Sequence, residues 1–357
     1  YFFNEDGFTR SEDFVFSPFN TPNGLLNDGV TPSFGGFGFF EINQETNSYA
    51  AYINGSYDLT DDLTIGGGLR YSEDKKDANA IFPSFSERKY ISADFNAVTW
   101  DINASYQLSN NMNVYGQVQK GYQTGGFPPR PFGGPDQFVS FDETKAVNYE
   151  IGLKGQVHEN VSMMLAMFVT DYTDLALPFS DPTAGGGFVT IVENAGQSKA
   201  QGIELETTIA ITDDFTIRSA VGYLDSEITE VAEGVQGIGK GDSPALTPRW
   251  TVMVAPSYFV DLSNGGTVAL NANYSYRSEM QGQSVFNKSE TIDSRELVGF
   301  NISYTNPYGD MEVTLYGENV LNEVYDVGRL QQTGFVGVMR SNDRSEFGLK
   351  FKKDFEL

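Results

Sequence analysis

Residues Thr99–Leu108 read TWDINASYQL. Trp100, Ile102, Ala104, Tyr106 and Leu108 fall on one side of an extended chain, and Thr99, Asp101, Asn103, Ser105 and Gln107 on the other. Successive side chains of a strand point to opposite faces, so this segment is a strand with one apolar and one polar face. A soluble sandwich alternates in the same way. What separates the two cases is strand length, the aromatic strand ends and the asymmetry of the connections, and these emerge on moving outward from the segment.

The same unit recurs along the chain. Strands are predicted at Tyr49–Tyr57, Leu63–Tyr71, Thr99–Leu108, Met112–Tyr122, Val147–Val157, Val161–Tyr172 and Gln201–Ile211. They continue at Phe215–Leu224, Trp250–Val260, Thr267–Arg277, Val298–Thr305, Met311–Asn319 and Ser345–Phe355, and Tyr1–Asn4 looks like the end of an incomplete one. Every second connection is a short turn of Asn, Asp, Gly, Ser and Thr, such as Thr60–Asp62, Ser109–Asn111 or His158–Asn160. Such residues suit tight hairpins. The other connections are long, near 74–96, 123–143, 173–187, 227–247, 279–293 and 321–343. Spanning strands of about 9–11 residues, with short turns at one end and long loops at the other, describe an antiparallel transmembrane β-barrel. The expectation is all-β, about thirteen to fourteen strands, in one domain over 1–357.

Composition agrees. With 48 acidic against 23 basic residues there is little to neutralise nucleic-acid phosphates. Cysteine is absent, which excludes disulfides and thiolate chemistry. The most apolar stretch, Val161–Thr170, is too short for a spanning helix but long enough for a spanning strand. The sole histidine, His158, sits in an expected turn, and a Ser-His-Asp hydrolase needs its histidine beside a nucleophile in a cleft. No catalytic site, cofactor or metal site is expected. Asp61-Asp62 and Asp213-Asp214 are read as turn formers.

Several segments resemble the barrel of TonB-dependent outer-membrane receptors. They are Tyr49–Asp74 (YAAYINGSYDLTDDLTIGGGLRYSED), Val114–Phe127 (VYGQVQKGYQTGGF), Asn148–Gly155 (NYEIGLKG) and Glu193–Glu206 (ENAGQSKAQGIELE). Leu315–Tyr325 (LYGENVLNEVY) and the aromatic-rich last strand, Arg340–Phe355, complete the series. Each is weak alone; six in order across nearly the whole chain are specific. The resemblance implies a bacterial outer-membrane location and a barrel of 22 strands, wide enough to hold an N-terminal plug. The chain opens on Tyr1 without an export signal, so the expectation is a C-terminal part of such a barrel, with plug and first strands absent. The implied function is import of a scarce nutrient, a ferric siderophore first, with energy relayed by TonB. The alternatives are a self-contained passive 14-stranded channel and a non-transporting surface-receptor or adhesive barrel.

Two groups of residues stand out. Arg70, Glu150, Lys154, Glu204, Glu206, Arg218, Arg277, Glu312, Glu318, Lys350 and Lys352 fall on polar faces. Charge facing lipid is costly, so these line the lumen, where they solvate it and brace wall and plug. The loop Gln123–Phe141 is aromatic and stiffened by proline. Phe127, Arg130, Phe132, Phe138 and Phe141 are its candidate ligand contacts, since exposed aromatic clusters mark interfaces.

Overall fold

The computed structural model describes residues 2–15, 38–81, 88–128, 138–180, 190–233, 238–282, 290–332, 335–341 and 343–355. Fourteen strands form one antiparallel sheet in which each strand pairs with its sequence neighbours in the sheet. The first nine are β1 (Phe2–Val15), β2 (Gly38–Asp58), β3 (Leu63–Ile81), β4 (Arg88–Ser109), β5 (Met112–Gln123), β6 (Thr144–His158), β7 (Val161–Ser180), β8 (Thr190–Ala210) and β9 (Phe215–Val231). β10 (Trp250–Asp261) and β11 (Thr267–Arg277) follow. A small hairpin, β12 (Met280–Gln281) with β13 (Thr291–Ile292), precedes β14 (Arg295–Thr305) and β15 (Met311–Glu318). A second, β16 (Asp326–Gln332) with β17 (Phe335–Arg340), precedes the last strand, β18 (Glu346–Lys353). Among the described residues β1 and β18 each pair on one side only and are the edges of the sheet.

Register turns the alternation of single strands into two continuous faces. Ile65, Ala104, Gly116, Ile151, Met167, Ile203, Tyr223 and Trp250 stand side by side across β3 to β10. Asp101, Gln119, Asn148, Thr170, Ala200 and Ser226 form a row on the opposite face. The apolar face is uncovered: Ile53, Ile102, Leu349 and Phe351 are 65–71% exposed. Large apolar side chains exposed in rows over a whole sheet require an apolar solvent. Trp100, Ile102, Tyr106, Val114, Val118, Leu270, Tyr274, Ile302 and Phe351 all share this face, while Asn103, Gln117, Asn271 and Asn273 share the other.

The short turns are built as their residues dictate. Leu59-Thr60-Asp61-Asp62 and Ile211-Thr212-Asp213-Asp214 are the same turn made twice. In each, the threonine Oγ1 accepts the amide of the next strand's first residue at 3.0 Å, Leu63 in one and Phe215 in the other. Both Asp pairs are exposed.

At the opposite end the structure departs from the sequence reading. The connections expected at 74–96, 173–187 and 227–247 are partly strand. β3 runs to Ile81 and β4 starts at Arg88; β1 reaches Val15, β7 Ser180 and β9 Val231. Beyond the lipid the outward face of a hairpin need not be apolar, so the alternation that marks a spanning strand disappears while backbone pairing continues.

Candidate functional site

The charged residues of the polar face are spread around the wall. Arg70 on β3 donates through Nε to Ser72 Oγ at 3.0 Å and lies over the Tyr52 ring. Glu150 on β6 accepts from Tyr115 OH at 2.8 Å. Lys154, Glu204, Glu206 and Arg218 stand exposed on β6, β8 and β9. Glu312 and Lys352 face each other across β15 and β18, as do Glu318 and Glu346 one end away. Lys350 lies over the Tyr316 ring, 4.3 Å from its centroid. These residues share a face and form no single cluster. Among the described residues no group of three or more His, Cys, Asp or Glu side chains could hold a metal ion. His158 is exposed at the end of β6, beside the turn to β7.

The aromatic loop after β5 is anchored to the inside of the wall. Phe127 and Phe138 are 6% and 0% exposed and pack together with ring centroids 5.9 Å apart. Their pocket is Ile42, Ala78 and Ala80, flanked by Ile91 and Ala93. These wall residues lie on the outer extensions of β2, β3 and β4, on the polar face that carries Arg70. Small side chains there leave room for the two rings. A backbone bridge closes the neck of the loop: Gly126 N donates to Phe141 O at 3.1 Å and Phe141 N to Gly126 O at 2.9 Å. Phe141 is half-buried. Arg130 and Phe132 lie outside the described residues.

Beneath the neck is a buried polar network that sequence patterning did not reveal. Lys76, 8% exposed, donates through Nζ to Gly125 O at 2.7 Å. The ammonium lies 5.6 Å from the centre of the Phe95 ring. Asp74, 7% exposed, accepts from Ser48 Oγ at 2.5 Å and from Tyr122 OH at 2.9 Å. Gly125 must be glycine, because a Cβ there would run into both the Phe141 carbonyl oxygen and the Phe95 ring.

Two asparagines explain the family-like motifs at Glu193 and Leu315. Asn194 Nδ2 donates to Asp174 O at 2.7 Å and to Asp142 O at 3.0 Å, and its Oδ1 accepts from Asp142 N at 2.7 Å. Asn319, at φ 43°, donates to Asp343 O at 2.7 Å and Glu323 O at 2.8 Å, and accepts from Glu323 N at 2.9 Å. Each ties a loop base to the rim of the wall. In the first motif a Cβ at Gly202 would meet the Tyr223 carbonyl oxygen and the Phe168 ring.

A third group gathers at the outer end of β11, β14 and the hairpin β16–β17. Buried Asp326 accepts from Arg329 Nε at 2.7 Å and from Arg340 Nε at 2.8 Å. Burial alone would raise this carboxyl, but the two arginine hydrogen bonds outweigh it and its pKa lies below the ordinary carboxylate value. Arg329 also reaches Asp293 at 3.3 Å.

An apolar outer face, a polar inner face, short turns at one end and anchored loops at the other define the wall of a transmembrane β-barrel of the outer membrane. Residues 2–322 match the family described as TonB dependent receptor-like, beta-barrel. The chain belongs to that family. The pesticin receptor of Yersinia enterocolitica is 30% identical over 232 residues, 59% of this chain and 33% of that protein. The crystal structure of the ferric yersiniabactin uptake receptor FyuA of Yersinia pestis superposes with a TM-score of 0.76 at 20% identity, covering 89% of this chain and 47% of that one. The siderophore receptor PiuA of Acinetobacter baumannii gives 0.68 at 19% identity, covering 88% and 44%. The chain thus spans about a third of the curated relative's length.

Proposed function

We propose that this chain is the outer-membrane wall, one β domain over 1–357, of an active importer of a ferric siderophore driven through TonB. The observation that carries the reading is the family membership joined to similar structures named for ferric yersiniabactin uptake and for a siderophore. The anchored loop, the polar lumen face and the rim arginines supply a ligand path that a purely adhesive barrel does not need. The chain acts by binding and conducting; catalysis has no part in the reading. Within the loop, Phe127 and Phe138 are its foot, and ligand contact falls to Arg130, Phe132 and Phe141. The scattered wall charges brace a plug and solvate the path.

The test is uptake of radiolabelled iron as ferric siderophores by iron-starved cells carrying the receptor from its complete gene. Uptake that requires both this gene and TonB supports the proposal. Uptake unchanged by deleting the gene, with every chelate tried, removes it. Ion conductance by the purified barrel in planar bilayers, without TonB, would favour the passive channel.

A further inference from the structure

Arg277 closes β11 and Arg295 opens β14, and register sets them directly opposite each other on the polar face. Like charges facing across an antiparallel pair destabilise it. A chain with 48 acidic residues has ample means to neutralise the pair and does not. Arg277 donates from a terminal guanidinium nitrogen to the Asp293 backbone oxygen at 3.0 Å, and its Nε is buried without a hydrogen-bond partner. The Arg295 guanidinium carbon lies over the Tyr325 ring, 4.8 Å from its centroid. Neither makes an ion pair among the described residues. Three carboxylates of this rim group are committed elsewhere: Asp326 to Arg329 and Arg340, Asp293 to Arg329, and Asp343 to the Tyr325 hydroxyl at 3.0 Å.

The pair is also held in place. Asp293 links Arg277, through its backbone oxygen, to Arg329 of the outer hairpin, through its carboxylate. A cation–π contact with Tyr325 holds the Arg295 guanidinium in place. Guanidinium forks match the geometry of paired oxyanions, and a fixed fork loses little entropy on binding one.

We propose that Arg277 and Arg295 form an oxyanion subsite at the outer end of the lumen. It takes the carboxylate or catecholate oxygens of an iron chelate, so that the cargo carries negative charge. This rests on the import reading above and narrows its substrate class.

The experiment uses the receptor made from its complete gene, in detergent, with four probes followed by calorimetry. The probes are iron-free citrate, the anionic ferric complexes of citrate and of 2,3-dihydroxybenzoate, and the uncharged ferric hydroxamate ferrichrome. Citrate and at least one anionic ferric complex are expected to bind, more weakly as salt rises. R277Q/R295Q should weaken both by about tenfold or more, while R277K/R295K, which keeps the charge but loses the fork, should recover only part of the binding. Binding of citrate without any ferric chelate would keep the subsite and remove the import reading. Failure of citrate to bind, unchanged affinity in R277Q/R295Q, or preference for ferrichrome would each overturn the subsite. So would normal binding in R277Q/R295Q with lowered thermal stability, because the pair would then answer a carboxylate of the receptor itself.

Discussion

Lys76→Met tests whether the aromatic loop is clamped to the wall. The substitution keeps an unbranched apolar stem and removes the ammonium that donates to Gly125 O at 2.7 Å. A hydrogen bond from a charged donor contributes about 1.5–3 kcal/mol net. Loss of the contact with Phe95 adds about 0.5–1 kcal/mol, and relief from burying an ammonium works in the opposite direction. The balance is roughly 2 kcal/mol on docking of the loop neck, or about a thirtyfold rise in the open population. The reporters are built in, since the amides of Gly126 and Phe141 bond each other's carbonyls across the neck. Hydrogen exchange measured by mass spectrometry should show these amides exchanging about thirtyfold faster in the variant, with the amides of β10 and β11 unchanged, because local opening sets the rate. Equal protection in both proteins would refute the clamp. Faster exchange throughout the barrel would mean that Lys76 supports the wall and not the loop.

Other outcomes follow from the same geometry. Leu270→Arg places a charge on the lipid face and should cost about 2–4 kcal/mol near mid-membrane, whereas Asn271→Arg faces the lumen and should be milder; equal folding yields in lipid vesicles would contradict the register of β11. The depressed pKa of Asp326 means that its arginine pairs stabilise the β16–β17 hairpin fully above the ordinary carboxylate pKa of about 3.9, and that this is lost as pH falls through the lower folded value. Protease cleavage of that hairpin should therefore rise below about pH 4 in the native protein and be high already at neutral pH in Asp326→Asn. Phe132→Ala with Arg130→Ala should weaken binding of the transported chelate by about tenfold while leaving barrel insertion intact; unchanged affinity would remove this loop from the ligand path.

The spanning part of the fold was legible because lipid enforces it. Each pass needs about ten residues with one apolar face, and TWDINASYQL or the mid-part of β11 shows that face directly. The outer extensions were not legible, because around Lys75-Lys76-Asp77-Ala78-Asn79-Ala80 neither face meets lipid and only backbone pairing keeps the strand. The candidate site was half legible. Arg277 reads as a lumen charge from parity alone, but its opposition to Arg295 depends on register across the β12–β13 hairpin. Phe127 and Phe138 read as ligand contacts by composition; burial against Ala78 and Ala80 makes them anchors. Lys76 and Asp74 carried no signal, since a buried pair within a polar run looks like a solvated one.

The most direct measurement uses the two tryptophans of this sequence, Trp100 and Trp250, both of which stand on the apolar face. In lipid vesicles, with these as the receptor's only tryptophans, fluorescence should be quenched strongly by brominated lipid chains and weakly by aqueous iodide. Strong quenching by iodide with little effect of brominated lipid would put the apolar face away from the membrane and contradict the account.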